Sequence, residues 1–315
     1  MSSDAGSAEA GSDRGAASAD LRLDLRFAQR MADLADGISL RHFAAGGLVA
    51  RVKRDDSPVT DADEEIERAL RTLIRRERAG EAFLGEEFGA CGDGERRWIV
   101  DPVDGTASFL AGEPEWSTLI GLVDRDEGSA EPGSAGLALA GLVSAPACGR
   151  RWWAARGHGA WTSALPMTGD APPPQRLSLA GAERLSDATV GIWPPPGRLS
   201  PRHAAVAARL ADAAARTVPG GLDWTGPPPA ARVPKPSTGT GTCHGALLVA
   251  ANRLDAFLLL GAGAWDVAAL VPIVEEAGGV VSDLRGTRRL DSGAALFAAS
   301  RALSRQILDL VHQDV

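Results

Sequence analysis

The sequence predicts a layered α/β or α+β fold, and three observations indicate this fold class. Apolar residues at helical spacing open the chain and recur in its second half, with short strand-like apolar runs between them. The predicted helices and strands do not alternate in the regular order of a βαβ sheet. The chain has 315 residues, of which 44% are hydrophobic, which is enough for one large domain or two modest ones that share a core.

Regular structure is predicted to begin near Leu21. Residues 1–20 are small and polar, so we expect a disordered N-terminal tail there. Apolar residues recur at helical spacing from Leu21 to Ile38 and predict the first helix. After a polar loop, Thr60 is typical of an N-cap and predicts the start of a second helix. The apolar face of that helix comprises Ile66, Ala69, Leu70, Leu73 and Ile74.

Short apolar runs typical of strands follow the second helix. The predicted strands cover residues 98–100, 118–123, 136–143 and 151–155. A proline-rich segment, 166–175, marks a boundary between an N-terminal half, residues 21–165, and a C-terminal half, residues 166–315. The second half is predicted to contain strands at 188–192 and 254–260, helices at 200–216, 246–251 and 264–277, and a proline- and glycine-rich loop at 220–241.

Charge and composition exclude several classes of protein. The net charge of −8 argues against a general nucleic-acid binder, which usually shows a basic surface. No apolar run reaches the roughly 20 residues that a membrane helix needs, and the N-terminus lacks the features of a secretory signal. The cysteines, Cys91, Cys148 and Cys243, are few and far apart, which favours reduced thiols in a cytoplasmic protein.

The most informative segment joins a short apolar run to two aspartates. Residues 98–100 are Trp-Ile-Val, and residues 101–105 are Asp-Pro-Val-Asp-Gly. The proline restricts the backbone, and the glycine permits the close approach of a ligand. Thr106 opens a stretch that can form a helix, whose N-terminal amides suit an anion such as phosphate. Carboxylates for a hard cation therefore stand beside amides for an anion, as metal-assisted phosphate chemistry requires.

Two further acidic segments strengthen this hypothesis. Glu86 and Glu87 follow another apolar run, and Asp266 stands at the start of an apolar helix. Each signal alone has a plainer interpretation. Asp101 and Asp104 are ordinary turn residues, paired glutamates are usually solvated, and Asp266 is most simply an N-cap.

Taken as a set, these segments resemble the inositol monophosphatase superfamily from about residue 25 to residue 300. The matching pieces are Ser57-Pro58-Val59-Thr60 with Asp63, Gly85-Glu86-Glu87, residues 101–106 with Phe109, and Trp265-Asp266 followed by residues 276–279. The resemblance implies a layered αβαβα fold of the inositol monophosphatase and fructose-bisphosphatase kind. It also implies a Mg²⁺-dependent phosphate monoesterase that uses two or three ions and acts on a small phosphate ester. Family members commonly pair, so a homodimer is also expected.

The resemblance assigns roles to individual residues. Glu86, Asp101 and the carbonyl of Val103 would hold a first Mg²⁺, and Asp101 would bridge to a second one held by Asp104 and Asp266. The remaining residues would act on the attacking water and on the phosphate. Thr106 and Asp63 would orient and help to deprotonate the attacking water, Glu87 would lie beside the metals, and the amides of Gly105, Thr106 and Ala107 would hold the phosphate. Asp63 also has a plainer role, since it lies where it can close a capping interaction with Thr60.

The branch that acts on histidinol phosphate is the most similar one, on residues 84–89, 108–120 and 268–276. Thr242, His244 and Leu259 are the predicted substrate-pocket residues. Thr242 replaces an aspartate of that branch, and Leu259 replaces a glutamate of inositol phosphatases. Both changes remove a carboxylate, which leaves a specialised biosynthetic phosphate ester open as the substrate. His244 is equally well explained as a packed histidine at a helix start.

Two other functions stay open from the sequence. One is a different reaction on the same scaffold, namely 3′(2′),5′-bisphosphate nucleotidase or sugar bisphosphatase activity. The other is a binding or regulatory protein that has kept the fold and lost turnover. The complete set of acidic residues argues against this second alternative, because a decayed site is expected to have lost a ligand.

Overall fold

The structure, a computed structural model, describes residues 6–46, 49–52, 58–125, 135–165, 170, 172–220 and 243–312. Eight α-helices lie in this part of the chain: α1 (Gly6–Ala45), α2 (Asp61–Glu77), α3 (Thr106–Leu110), α4 (Pro201–Ala213), α5 (His244–Ala250), α6 (Ala264–Val267), α7 (Leu270–Glu276) and α8 (Arg301–His312). The strands of the described residues are β1 (Ala50–Val52), β2 (Pro58–Thr60), β3 (Ala82–Gly85), β4 (Gly89–Cys91), β5 (Arg96–Asp104), β6 (Ser117–Arg125), β7 (Ala135–Ala145), β8 (Arg150–Ala155), β9 (Ala160–Ala164), β10 (Gln175–Leu177), β11 (Thr189–Trp193), β12 (Arg216–Val218), β13 (Ala256–Ala262), β14 (Val280–Ser282) and β15 (Gly293–Ala298).

Two sheets form the framework. The larger sheet has eight strands in the order β10-β9-β8-β7-β6-β5-β3-β4, and all its neighbours are antiparallel except β3 and β5. The smaller sheet has five strands in the order β12-β11-β13-β15-β14, of which β12, β11 and β13 are parallel. The strands β1 and β2 form a separate antiparallel pair.

The elements stack in five layers. Apolar residues of α1 and α2 cover one face of the larger sheet. Helices α5 and α7 lie between the other face of that sheet and one face of the smaller sheet. Helices α4 and α8 cover the remaining face of the smaller sheet. This arrangement is the αβαβα fold that the sequence predicts.

Burial on both faces explains why the strand β5 is a continuous apolar run before its aspartates. Trp98 and Val100 face α1 and α2, whereas Ile99 faces the helices between the sheets. Successive side chains of a strand point to opposite faces, so a strand that is covered on both sides needs apolar residues at every position. The apolar run ends at Val100, and the two aspartates that follow in β5, Asp101 and Asp104, are themselves buried.

The N-terminal helix begins earlier than the sequence predicts. Helix α1 starts at Gly6, so the predicted disordered tail over residues 1–20 is wrong for residues 6–20. The part of α1 from Phe27 to Ile38 packs on the larger sheet, and this packing stabilises the helix. Adding further residues to an existing helix needs no new nucleation, and the preceding segment is rich in alanine.

Two other boundaries differ from the prediction. The predicted helix 200–216 ends at Ala213, and Arg216 begins β12. The predicted helix 264–277 is interrupted between α6 and α7, and Pro272 is the third residue of α7. A proline in a helix interior clashes with the preceding turn, whereas in a first turn its missing N–H costs no hydrogen bond. One continuous helix is therefore disfavoured here.

The predicted boundary at residue 165 does not coincide with the edge of a sheet. Strand β10 lies after that boundary, and it pairs with β9 in the larger sheet. The two halves remain a prediction as folding units. No helix in the described part of the chain is both long and apolar enough to cross a lipid bilayer. All three cysteines are free thiols, and only Cys243 is buried.

Candidate metal centre

Three carboxylates from two distant segments meet at one point. Asp101 and Asp104, at the end of β5, and Asp266, in α6, each offer one carboxylate oxygen, and these three oxygens lie within 4.8 Å of one another. Asp101 is 2% exposed and Asp104 is 6% exposed, while Asp266 is half-buried. Isolated carboxylates avoid such burial, so three of them together indicate a site for a cation.

An irregularity at the end of β5 directs both aspartates toward the centre. The pairing of β5 with β6 shifts register between Asp101 and Asp104. Within this bulge, the N–H of Val103 donates to Asp101 Oδ1 at 3.0 Å, and the hydroxyl of Thr118 donates to the carbonyl of Pro102 at 2.8 Å. A bulge redirects side chains that would otherwise alternate between the two faces of a sheet.

Close contact between two layers brings Asp266 to these aspartates. Strands β6 and β7 carry Gly121 and Gly141 beneath the junction of α6 and α7. A Cβ atom on Gly141 would lie 2.0 Å from the carbonyl oxygen of Ala269, and one on Gly121 would lie 2.8 Å from the Cβ atom of Ala268. Larger residues in these strands would push the helix junction, and Asp266 with it, away from the larger sheet.

Backbone amides orient the remaining two carboxylates. The N–H of Cys243, which immediately precedes α5, donates to Asp104 Oδ2 at 2.9 Å. The N–H of Gly263 donates to Asp266 Oδ2 at 2.6 Å. Asp266 is the third residue of α6 rather than its N-cap, so the plainer interpretation of this residue was wrong about its position. Both amides come from the C-terminal half of the chain.

The electrostatics of the site favour a bound cation. Burial raises the pKa of Asp101 well above its usual range, and the neighbouring charges of Glu86, Asp104, Asp266 and Asp63 raise it further. These acidic residues repel one another in a low dielectric, and a divalent cation relieves that repulsion. An all-oxygen donor set suits a hard ion such as Mg²⁺, Ca²⁺ or Mn²⁺. The residues present therefore fit a metal centre.

The paired glutamates lie beside this group. Glu86 follows β3, its N–H donates to the carbonyl of Val100 at 3.3 Å, and its charge acts on Asp101. Glu86 is outside the cluster of three carboxylates that lie within 4.8 Å of one another. The N–H of Glu87 donates to Glu67 at 2.7 Å. The roles of Glu86 as a ligand and of Glu87 in catalysis stay predictions.

Asp63 and Thr106 are both bonded to backbone groups of the site. Asp63 is 1% exposed, and its Oδ2 accepts hydrogen bonds from the N–H and the hydroxyl of Thr60. The capping role of Asp63 is thus confirmed, and Thr60 is the N-cap that the sequence predicts. The hydroxyl of Thr106 donates at 3.0 Å to the carbonyl of Val103, the predicted metal ligand.

The predicted phosphate site is the start of α3. Gly105 has φ of 87°, and a Cβ atom there would lie 2.8 Å from the carbonyl oxygen of Glu115, so only glycine fits without strain. The first intrahelical donor is the N–H of Ser108, which bonds to the carbonyl of Gly105 at 2.8 Å. The amides of Thr106 and Ala107 precede that donor, as expected for the first turn of a helix.

The predicted substrate pocket is only partly described. Thr242, the segment 221–241 and the polar loop at 53–57 lie outside the described residues. His244 is the first residue of α5 and is 8% exposed, and its Nδ1 lies 3.9 Å from the sulfur of Cys243. This is the packed position at a helix start that the plainer interpretation predicts. Leu259 is 5% exposed in β13, beside Trp193 of β11.

One buried acid near the centre, Glu67, is absent from the residues that the sequence predicted for the site. Glu67 has an exposure of 0% and lies one helical turn after Asp63 in α2. Burial raises the pKa of Glu67, while two backbone N–H groups and Arg71 oppose that rise. An acid that repeats at i+4 on the apolar face of a helix was the available signal, because charged residues are rarely buried without a partner.

Comparison with known proteins identifies relatives of the whole chain. Residues 24–315 match the sequence model of the inositol monophosphatase family. A histidinol-phosphatase of Streptomyces coelicolor is 34% identical over 92% of this chain and 97% of its own length. A Streptomyces griseus protein named glucose-1-phosphate thymidylyltransferase is 36% identical over 88% of this chain and 92% of its own length.

A solved structure supports the fold. The inositol monophosphatase of Zymomonas mobilis superimposes with a TM-score of 0.69, at 24% identity, over 92% of this chain and 98% of its own. At that level of identity the likeness shows the shared fold, and the chemistry must be argued from the site itself.

Proposed function

The chain belongs to the inositol monophosphatase family, whose members are phosphoric monoester hydrolases, and on that premise we propose that it is a Mg²⁺-dependent phosphatase of a small, histidinol phosphate-like ester. The observation that carries the proposal is the convergence of Asp101, Asp104 and Asp266 within 4.8 Å. Two buried acids and one half-buried acid at one point destabilise a fold unless they serve a cation.

The proposed ligand set combines the three clustered acids with the two ligands that the resemblance implies, Glu86 and the carbonyl of Val103. Asp101, Asp104 and Asp266 would hold one Mg²⁺, and Glu86, Asp101 and the carbonyl of Val103 would hold another, so that Asp101 bridges the two ions. The number of ions, two or three, is part of the proposal. When bound, Mg²⁺ supplies positive charge for the phosphate dianion, acidifies a water molecule and stabilises charge on the leaving oxygen.

The residues of the chain itself would bind and orient the reactants. The amides of Gly105, Thr106 and Ala107 would hold the phosphate oxygens, which is supported by their place in and before the first turn of α3. Asp63 and Thr106 would orient the attacking water, with Asp63 accepting its proton. Thr60 keeps Asp63 fixed through its N–H at 2.8 Å, so the carboxylate is pre-organised for this role. Glu87 would lie beside the ions without holding one.

The substrate class rests on the relatives and on one pocket residue. Histidinol-phosphatases are among the relatives that match nearly the whole chain. Leu259 is apolar and buried in β13, so it offers no acceptor for the hydroxyl groups of a polyol. An ester whose leaving group has fewer hydroxyl groups than inositol suits this apolar position, and Thr242 and His244 stay the other predicted pocket residues.

A panel of substrates tests the proposal directly. Phosphate release is measured with histidinol phosphate, inositol 1-phosphate, 3′-phosphoadenosine 5′-phosphate and fructose 1,6-bisphosphate, with Mg²⁺ and with EDTA. We expect Mg²⁺-dependent release that is fastest with histidinol phosphate. Preference for one of the bisphosphates would assign nucleotidase or sugar bisphosphatase activity instead.

Two controls address other classes of function. Pyrophosphate release from dTTP and glucose 1-phosphate tests the reaction named for the Streptomyces griseus relative, and we expect none. Equal background rates for the wild type and Asp104→Asn on a generic aryl phosphate would favour a binding or regulatory protein without turnover. A cytoplasmic location and a homodimer stay predictions.

A further inference from the structure

A buried carboxylate supports the turn that carries Glu86. Glu67, in α2, has an exposure of 0%, yet it forms no part of the three-carboxylate cluster. Its Oε2 accepts the N–H of Glu87 at 2.7 Å, and its Oε1 accepts the N–H of Phe88 at 3.1 Å. A buried carboxylate is costly without such hydrogen bonds, so the two amides account for its stability there.

Arg71, one helical turn further along α2, binds the same turn from its carbonyl side. Its guanidinium donates to the carbonyl oxygens of Gly89 at 2.8 Å and of Phe88 at 3.3 Å. Its Nε lies 3.5 Å from Glu67 Oε1, and its guanidinium lies over the rings of Phe83 and Phe88. Glu67 and Arg71 therefore hold both the donors and the acceptors of the turn at residues 85–89.

The fit between Glu67 and this turn leaves no spare space. A Cβ atom on Gly85 would lie 2.1 Å from Glu67 Cδ and 2.2 Å from its Oε1. Glu86 stands between Gly85, which touches the Glu67 carboxylate, and Glu87, whose N–H bonds to it. The backbone on both sides of Glu86 is thus fixed by one side chain, and interiors packed this tightly transmit small shifts.

We propose that Glu67 is a positioning residue, which holds the turn at residues 85–89 so that Glu86 faces the carboxylate cluster and binds the cation. The inference rests on the proposed function, because it takes Glu86 as a metal ligand. With this role for Glu67, one face of α2 carries two residues that support the site. Asp63 would orient water, and Glu67, one turn later, would orient a ligand, so the helix couples the two.

Direct cation binding tests this role without substrate. The affinity for Mg²⁺ is measured by calorimetry, and for Mn²⁺ by electron paramagnetic resonance, in the wild type, Glu67→Gln and Glu65→Gln. We expect Glu67→Gln to weaken one cation site about 10- to 100-fold, because an amide cannot accept both N–H groups as the carboxylate does. At saturating Mg²⁺, kcat should recover to within about threefold of the wild type. Glu65→Gln, on the same helix but half-exposed and paired with Arg41 and His42, should leave the affinity unchanged.

A double-mutant cycle separates positioning from a general effect on stability. If Glu67 acts through Glu86, Glu67→Gln should weaken binding by less than about threefold in a Glu86→Gln background. Glu67→Asp, which keeps the charge on a shorter side chain, should give an intermediate loss and serves if the Gln variant does not fold.

Three outcomes overturn the inference. Wild-type affinity in both Glu67 variants overturns it while leaving the metal centre intact. An equal loss with and without Glu86 shows that Glu67 does not act through Glu86. Failure of the wild type to bind either cation overturns the proposed metal centre, and this inference with it.

Discussion

The two halves of the candidate site are built differently. The N-terminal side is formed by the end of β5, the turn at residues 85–89 and the start of α2. Its own N–H groups bind two of its acids, from Val103 to Asp101 and from Glu87 to Glu67, whereas Asp104 accepts a hydrogen bond from the other side. The C-terminal side, formed by α5, β13 and α6, contributes one carboxylate and the amide of Cys243. The first side therefore carries most of the proposed chemistry.

The departures that the resemblance predicts lie in the C-terminal half of the sequence. By that resemblance, Thr242 and Leu259 each stand where some related enzymes carry a carboxylate. Leu259 lies in β13, and Thr242 is outside the described residues. The resemblance predicts no such replacement on the N-terminal side, where it rests on the motifs at Asp63, Glu86 and Asp101. We therefore propose that the N-terminal side carries out catalysis and the C-terminal side selects the substrate, since function often varies on a constant fold.

The largest expected effect comes from the N-terminal side. Asp101→Asn should lower kcat/KM at least about 1,000-fold, because the bound cations supply several kcal/mol of transition-state stabilisation and each 1.36 kcal/mol is a factor of ten. Phosphate release and circular dichroism are measured together, and the fold should stay intact. Asp61→Asn, at an exposed aspartate of the same half, is the matched control. Near wild-type turnover in Asp101→Asn would contradict the assignment of Asp101.

A large effect is also expected from the one carboxylate of the C-terminal side. Asp266→Asn should lower kcat/KM about 100-fold and weaken one cation site, since Asp266 reaches the centre from another layer and has no substitute there. Kinetics at varied Mg²⁺ measure both quantities. Asp309→Asn, at an exposed position of the same half, should behave as the wild type. A lower kcat/KM with unchanged cation affinity would show that Asp266 is not a metal ligand.

A substitution at Leu259 should have a moderate effect, on substrate selectivity rather than on the overall rate. Leu259→Glu should shift the ratio of kcat/KM values for inositol 1-phosphate over histidinol phosphate about 10-fold toward inositol 1-phosphate, because the new carboxylate accepts hydrogen bonds from polyol hydroxyl groups. Leu259→Met, which keeps an apolar side chain of similar volume, is the control. An unchanged ratio in a folded variant would place substrate selection elsewhere than in β13.

The smallest effect is expected at Cys243, whose backbone N–H donates to Asp104. Cys243→Ala should change kcat/KM by less than about threefold, because the N–H that donates to Asp104 at 2.9 Å is kept and a thiol is only a weak donor. Steady-state kinetics and Mg²⁺ affinity check this expectation. A loss above tenfold in a folded variant would show that the thiol supports Asp104 in addition to the amide.

Local sequence patterns predicted much of the fold and the identity of the acids. The period of the apolar residues in α2 gave its buried face, with Ile66, Leu70 and Ile74 in the core as predicted. The apolar period did not fix every boundary. The break between α6 and α7 follows from Pro272, and the early start of α1 follows from extension of a helix that already packs on the sheet. Glu67 was missed because a charged residue is expected at the surface unless a partner is known, and its partners are the amides of a distant turn.

By itself, the sequence determined which residue types stand at strand ends and helix starts, because propensity and spacing act over a few residues. It thereby determined the layered fold class, and the resemblance of its motifs to a known family implied that Asp101, Asp104 and Asp266 act together. Only the tertiary structure decided that these carboxylates meet within 4.8 Å, since Asp266 is brought to Asp101 by layers that pack through Gly121 and Gly141. Contacts between distant segments depend on how whole layers stack, and no local pattern encodes that distance.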